Sequence, residues 1–301
     1  MELLVSIKDK NLLAKISNKG IDGIIFGGIF SNKYNFSLDE MREINEYCLA
    51  FKLKRYISID SFISEDDLTT LYEYIRFIEG INPDGIYFQD LGIINCFKNF
   101  DLKNKLIYDP GTLLTNKRDI NFYLSRNIDV VIARELTLEE IIEIIKDYPF
   151  RLDMQIFGYL RMSYSKRKIL SNYFNEIGKE FKANDNSKLT LIEETRNYSL
   201  PIKETKYGTC IYTDYVFLMY QEYAYLSKVL KRGIIDTDFI DDDAVIDLIR
   251  DARRITTENA EFLESSFIRR NSNYLFNSGY LYQKTTDKKE ENGKDWVTSA
   301  S

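Results

Sequence analysis

The sequence predicts an α/β fold: a closed (β/α)₈ TIM-like barrel with an irregular insertion after strand seven and a helical C-terminal extension. Three observations carry this. Short β-rich apolar runs alternate with helical stretches from residue 2 to about 150, which is the rhythm of βαβ units. Seven such units occupy about 155 residues with no long spacer, which favours closure over a doubly wound open sheet, the other architecture the rhythm allows. No GxGxxG or GxxxxGK[ST] motif opens a helix, so the fingerprints of the usual nucleotide-binding sheets are missing.

The elements follow in order. Strands are predicted at Leu3–Ile7, Gly23–Gly27, Tyr56–Ile59, Ile86–Phe88, Leu106–Tyr108, Val130–Ala133 and Leu152–Phe157, each short enough to be a buried parallel strand. Between them, Ser37-Leu-Asp-Glu40 and Thr137-Leu-Glu-Glu140 have capping-box spacing, and Ser64-Glu-Asp-Asp67 is a similar start with an acidic first turn. Cys48 falls on a helical face with Met41 and Ile44, and Cys96 on one with Ile93 and Phe100, so both read as core thiols. The rhythm breaks over 175–213, an excursion with short strands at Leu189–Glu193 and Thr209–Tyr212. A helix at Val216–Lys231, an eighth strand at Ile234–Ile240 and a long helical stretch over Ala244–Phe267 complete a barrel domain of residues 1–270. Residues 271–301 form an extension whose polar tail, from about 283, is expected to be disordered and carries the only Trp, Trp296.

Composition narrows the chemistry. The 301 residues are 44% apolar, enough for a sizeable core, and include no His. A Ser-His-Asp triad, a Cys-His dyad, a two-His metal helix and an imidazole base are therefore excluded from this chain's own side chains. Carboxylates, Lys, Tyr and three widely spaced Cys remain, and the odd Cys number suits free thiols in a reducing compartment. A net charge of −6 argues against bulk electrostatic binding of nucleic acid but leaves room for a local basic patch. The N-terminus lacks the pattern of a signal peptide and no apolar run is long enough to span a bilayer, so no membrane partner and a cytoplasmic location are expected.

In a barrel of this kind the working residues stand where strands end and βα loops begin. Those positions hold Asp60, Gln89, Asp90, Asp109, Arg134, Glu135 and Asp241. Arg134, Glu135 and Asp241 are the catalytic candidates, and Asp60, Asp90 and Asp109 the substrate-binding ones. Carboxylates around an Arg can shift one another's pKa, bind a cation or leave the guanidinium fork to an anion, whereas a strand-end Asp can equally cap a helix or brace a loop. The acidic run Asp236–Asp243 lacks the Gly and Glu an EF-hand turn needs and reads as a solvated loop and helix start. Beyond strand seven lies Gly158-Tyr-Leu-Arg161-Met-Ser163-Tyr164-Ser165-Lys166-Arg167-Lys168-Ile-Leu-Ser171-Asn-Tyr173. Its cations, hydroxyls and aromatics suit phosphate contact, with Tyr164 or Tyr173 available to stack a base, although a charge run is also what a solvated face looks like.

This last stretch resembles the segment G-A-L-C-x-S-Y-S-G-x-C-x-x-S-x-Y of peptidase family U32, the collagenase-like peptidases. Ala133-Arg134-Glu135-Leu136-Thr-Leu-Glu-Glu140, Leu200-Pro-Ile-Lys-Glu-Thr-Lys-Tyr-Gly208-Thr209 and Asp84-Gly-Ile-Tyr-Phe-Gln-Asp90-Leu-Gly92 are similar to further passages of that family. The resemblance covers about residues 2–250 and implies a barrel, with two kinds of activity known by name. Some members are called peptidases (hydrolases). Others hydroxylate RNA, including the wobble uridine of tRNA, with prephenate as the implied oxygen donor and an iron–sulfur cluster held by four Cys. Here the first two cluster positions are Arg161 and Lys168, the excursion has no Cys, and the last position falls on Phe217. The family's iron–sulfur cluster is therefore expected to be absent, and no metal or other cofactor is expected. The resemblance implies the short, cysteine-poor paralogue of a two-gene arrangement, an accessory or substrate-positioning subunit that pairs with a longer cluster-bearing relative and contacts tRNA. On that reading Arg161, Ser163, Tyr164, Ser165, Lys166, Arg167 and Lys168 join the binding candidates. A collagenase-like peptidase and a non-catalytic binder of a small carboxylic acid or partner protein are the alternatives.

Overall fold

The computed structural model describes residues 1–33, 35–179, 189–192 and 198–283. Strands β1 (Glu2–Ser6), β2 (Gly23–Gly27), β3 (Lys54–Ile59), β4 (Gly85–Phe88), β5 (Leu106–Tyr108), β6 (Asp129–Val131) and β7 (Leu152–Ser165) pair in parallel, each with the next. Then β8 (Thr190–Ile192), β9 (Ser199–Thr205) and β10 (Gly208–Leu218) leave the ring, and β11 (Arg232–Asp236) closes it by pairing in parallel with both β7 and β1. The result is a closed eight-stranded parallel barrel, as the sequence predicts.

The helices are α1 (Lys10–Ile16), α2 (Leu38–Ala50), α3 (Leu68–Ile81), α4 (Gly92–Cys96), α5 (Lys117–Leu124), α6 (Leu138–Asp147), α7 (Ile169–Glu176), α8 (Gln221–Leu226), α9 (Asp242–Ala252) and α10 (Ala260–Arg270). Both capping boxes form: Ser37 starts α2 and Thr137 starts α6, each hydroxyl accepting from the third amide while the Glu answers the cap amide. Such a cap is worth about 1 kcal/mol. Ser64 makes no side-chain cap, and the acidic segment Glu65–Asp67 is a single 3₁₀ turn before α3.

The strands bury two faces. Leu3, Val5, Ile24, Phe26, Ile57 and Ile59 point outward into a core shared with the helices. Leu4, Ile25, Tyr56, Tyr87, Ile107, Val131 and Ile234 point inward and form a separate cluster inside the barrel. With both faces buried, strand sequences such as Gly23–Gly27 and Leu106–Tyr108 are continuous apolar runs.

The seventh strand contributes Asp153 to that interior, where it meets a cation. Arg232 Nε donates to both Asp153 oxygens, at 2.8 and 2.7 Å, and its Nη2 donates to Asp129 at 2.5 Å. The Tyr87 hydroxyl donates to Asp153 at 2.9 Å, and Lys231 Nζ to Asp129 at 2.5 Å. Burial pushes the Asp153 carboxyl up to about 6 against the pull of Arg232.

Four expectations need correction. The eighth strand is β11, ending at Asp236, so Thr237–Ile240 is a loop and not strand. The helix expected at Val216–Lys231 is strand to Leu218, because Val216, Phe217 and Leu218 pair antiparallel with Tyr159, Gly158 and Phe157; only Gln221–Leu226 is helical. The expected long helix over Ala244–Phe267 is two helices. The Asn259 side chain accepts from Thr256 N and donates to Arg254 O in the turn between them, a local bonding pattern that competes with helix. Strand seven also runs on to Ser165, so the excursion begins within the strand. It turns out of the barrel at Gly158, whose φ is +111°, and a Cβ there would lie 2.4 Å from the Asp236 carbonyl oxygen.

The excursion is a small antiparallel sheet, β7–β10–β9–β8. Of the strand expected at Leu189–Glu193, Thr190–Ile192 forms and Glu193 lies outside the described residues. Strand β12 (Phe276–Asn277) pairs with β10 and Leu138 N donates to Leu281 O, so residues 271–283 return against the barrel domain. The rest of the expected disordered tail, with Trp296, lies outside the described residues. No helix among the described residues is long and apolar enough to cross a membrane.

Candidate functional site

Two residues beyond the inner layer, five of the strands again point inward with polar side chains. Leu4 gives way to Ser6, Tyr56 to Ser58, Ile107 to Asp109, Asp153 to Gln155 and Ile234 to Asp236. These residues line two small adjoining pockets at the C-terminal mouth of the barrel, which share Lys33, Tyr87 and Arg134 as further walls. This is the end where a barrel's loops assemble a site.

Three cations enter the mouth. Arg161 reaches in from the far half of β7, donating to Gln89 Oε1 at 2.7 Å and standing 3.5 Å from Asp60. Asp60 is itself fixed by the Asn32 amide at 2.9 Å. Burial works against the Arg161 charge, yet Asp60 and Asp109 are among the groups that hold its pKa above the ordinary value. Lys33 pairs with Asp236. Burial opposes its charge too, but Asp236, Asp60 and Asp238 hold the ammonium above its ordinary pKa, and Lys33 in turn holds the buried Asp236 below its own. Arg134 stands 3.4 Å from Asp109, too long for a strong charge-assisted bond, and its buried Nε has no hydrogen-bond partner among the described residues. From the excursion, Lys203 Nζ donates to the Lys33 carbonyl and, at 3.2 Å, to Asp238, while Tyr212 Oη lies 3.4 Å from Asp238. Chemically this is a charge-balanced, partly desolvated pocket able to orient an anionic group. It offers no imidazole and no thiolate pair.

The predicted residues divide sharply. Asp60, Asp109, Arg134 and Arg161 come together in the mouth. Gln89 joins them through Arg161, but its neighbour Asp90 turns away to accept from Ile63 N at 2.9 Å and Gly92 N at 2.8 Å, so it braces loops. Glu135, next to Arg134, is exposed and outside the cavity. Asp241 is exposed and accepts from the Tyr274 hydroxyl at 2.8 Å at the start of α9. The expected convergence of Glu135, Asp241 and Asp90 on the mouth is therefore corrected: Glu135 follows Arg134 in a turn beyond the end of β6, Asp90 is bonded to loop amides, and Asp241 stands five residues past the end of β11 at the cap of α9.

In the basic stretch, Tyr164 stacks on Phe62 at 5.1 Å and donates to Tyr207 O at 3.0 Å, so its ring is already occupied. Ser165 Oγ accepts from Arg167 N, Lys166 Nζ donates to Ser64 Oγ, and Ser163, Lys166, Arg167 and Lys168 are exposed. Lys168 begins α7, whose first amides are satisfied from below: Glu204 accepts from Leu170 N at 2.7 Å and from Ser171 N at 3.3 Å. Of the two cations at cluster-ligand positions, Arg161 faces inward and Lys168 outward. Phe217, at the last such position, is buried opposite Gly158. Guanidinium, ammonium and phenyl groups do not ligate iron, so these residues do not fit the cluster. Burial raises the pKa of the lone Cys210 thiol beside Arg161, and Cys48 is pushed up to about 12 by burial in the core. Among the described residues no group of three or more His, Cys, Asp or Glu could hold a metal. In the acidic run, Asp236 and Asp238 are buried in ion pairs, which corrects the solvated-loop expectation there.

Sequence reasoning missed Lys33, Gln155, Tyr212, Asp236 and Lys203. Asp236 was hidden inside the misplaced eighth strand. Lys33 stands six residues past the end of β2 at Gly27, in a loop that strand-end counting does not reach.

Residues 10–235 match the family model described as Peptidase family U32. The chain is 26% identical over 180 residues to tRNA hydroxylation protein P2 of Bacillus subtilis, covering 58% of each. It is 26% identical over 177 residues to tRNA hydroxylation protein P1 of the same organism, covering 57% of this chain and 42% of that one. An uncharacterized protease of Methanocaldococcus jannaschii is 25% identical over 182 residues, covering 58% and 44%. These matches span about half the length of the relatives. Among solved structures, a U32 peptidase superposes with a TM-score of 0.49 at 12% identity, covering 78% of this chain and 92% of that one.

Proposed function

The chain belongs to peptidase family U32, and from that premise we propose that it serves tRNA hydroxylation as an accessory or substrate-positioning subunit without an iron–sulfur cluster of its own. Its partner is a longer, cluster-bearing relative, the reaction is 5-hydroxylation of tRNA uridine, and prephenate is the co-substrate of the complex.

One observation carries this reading. At the first cluster-ligand position stands Arg161, partly buried in the barrel mouth and bonded to Gln89 and Asp60. A guanidinium there can neutralise an anion but cannot exchange electrons with iron. The names of the similar bacterial proteins supply the pathway. Proteolysis has less support, since the chain has no His and Glu135 and Asp241 stand outside the cavity.

Deletion of the gene, followed by mass analysis of tRNA nucleosides, tests the reading. Loss of 5-hydroxyuridine, restored by the wild-type chain, is expected, as is co-purification with the longer relative. Unchanged 5-hydroxyuridine overturns it.

A further inference from the structure

We propose that the excursion sheet is a lid, which this structure holds closed over the barrel mouth, and that it swings open as a unit while the barrel stays folded. The moving unit is β9 with the outer ends of β10 and β7. The inference rests on the reading above in that it gives the mouth holding Arg161 a means of regulated access.

The register decides which face of the sheet covers the mouth. Lys203 pairs across the ladder with Cys210, and Glu204 with Thr209, so the two pairs lie on opposite faces. Glu204 and Thr209 face α7: Glu204 accepts from Leu170 N at 2.7 Å, and Thr209 Oγ1 accepts from Ile169 N at 3.0 Å. Lys203, Thr205, Cys210 and Tyr212 therefore face the barrel. Beneath them the mouth is shut. Cys210 and Tyr212 are each 1% exposed, and the pockets have room for no more than a water or two. A larger molecule fits beneath the sheet only if the sheet moves.

The closing contacts converge on one loop. The Thr205 hydroxyl donates to Asn32 Oδ1 at 2.9 Å, Lys203 Nζ donates to the Lys33 carbonyl, and the Tyr207 ring lies 5.5 Å from that of Phe30. Phe30, Asn32 and Lys33 all stand between β2 and α2. Lys203 also donates to Asp238 at 3.2 Å. A largely polar latch exchanges its bonds for water when it opens, so it holds less firmly than an apolar interface of the same extent. The opposite side of the sheet supplies the hinge. Tyr212 pairs with Arg161 and Val216 with Tyr159, so β10 advances four positions there against two of β7 and the ladder is interrupted. A break in the pairing is where such a ribbon flexes, and the regular ladder beyond it moves intact.

Two native thiols report the motion. Cys210 lies under the lid, whereas Cys48 lies in the core on α2 at 0% exposure, so alkylation of the first reads lid opening and of the second reads barrel unfolding. The full chain is treated with iodoacetamide under native conditions, labelling is located by peptide mass analysis, and each rate is taken relative to the same thiol in the urea-unfolded chain. Cys210 is expected to react about ten times faster than Cys48, or more. Lys203→Met combined with Thr205→Val is expected to speed Cys210 by a further ten-fold or so and to leave Cys48 unchanged. Amide exchange over Gly208–Ile211 is expected to show greater protection than Cys210 does, because the ladder travels unbroken. Cys210 reacting no faster than Cys48 overturns the proposal in the wild-type chain alone. Acceleration of both thiols or of neither in the latch variant also overturns it, as does amide protection no greater than that of Cys210, which means a sheet that melts in place of swinging. Labelling needs neither tRNA nor a partner, so its failure is distinct from unchanged 5-hydroxyuridine in the deletion strain.

Discussion

The two ends of the barrel interior use the same residue types to opposite effect. At the floor, Arg232 is met at 2.8, 2.7 and 2.5 Å by Asp153 and Asp129, and Tyr87 completes the Asp153 shell. At the mouth, among the described residues, Arg134 is met only at 3.4 Å by Asp109, and one of its nitrogens has no partner. A buried guanidinium held by short bonds to two carboxylates helps hold a fold together, whereas one left with a single long contact contributes little to it. Floor variants should therefore report on stability and mouth variants on binding.

The largest effect is expected at the floor. Arg232→Met leaves Asp153 and Asp129 without their shared cation in a buried site, which costs about 3–5 kcal/mol. Urea unfolding is expected to show a lowered midpoint with an unchanged slope. A loss below about 1 kcal/mol would mean the floor is no better knit than the mouth.

The floor also carries a pH signature. Asp153 keeps its proton to about pH 6 in the folded chain, against the ordinary carboxyl value of 3.8 when unfolded. Between those values folding takes up a proton, so this group's contribution to stability falls as pH rises from about 4 to 6, by up to roughly 3 kcal/mol, and is flat above. Asp153→Asn is expected to remove that slope in unfolding measurements across the interval.

How much of this was legible depended on which face a residue occupies. The barrel was readable because parallel strands bury both faces, giving the apolar runs of Gly23–Gly27 and Leu106–Tyr108 their observed bounds, and because Ser37 and Thr137 announce their helices locally. The strand over Val216–Leu218 was not, since its pairing with Phe157–Tyr159 is set by residues about 60 positions away. At the site, strand ends gave Asp60, Asp109 and Arg134, but Glu135 and Asp90 came with them because sequence alone does not say which of two neighbours turns inward. Arg161 was legible by its place in a family motif. Lys33 had no local signal at all, and Asp236 joins it only in three dimensions.

At the junction of the two regimes stands Arg161, well bonded yet in the mouth. Arg161→Gln gives up the 2.7 Å bond to Gln89 and leaves Asp60 with the Asn32 amide, which costs about 1–3 kcal/mol. In a complemented deletion strain the variant is expected to accumulate as folded chain while 5-hydroxyuridine falls. Full restoration of the nucleoside would make Arg161 a floor-type residue that happens to sit high.

The smallest stability effect is expected at Arg134. Its existing contact with Asp109 is long, Asp109 is partly open to solvent and also accepts from Gly111 N at 3.1 Å, and an unmet donor already weighs against the folded state. Arg134→Gln removes that unmet donor together with the weak ion pair, so the two changes offset and the unfolding free energy is expected to move by less than about 1 kcal/mol. A loss near 3 kcal/mol would show that Arg134 is as structural as Arg232, and the distinction between floor and mouth would fall with it.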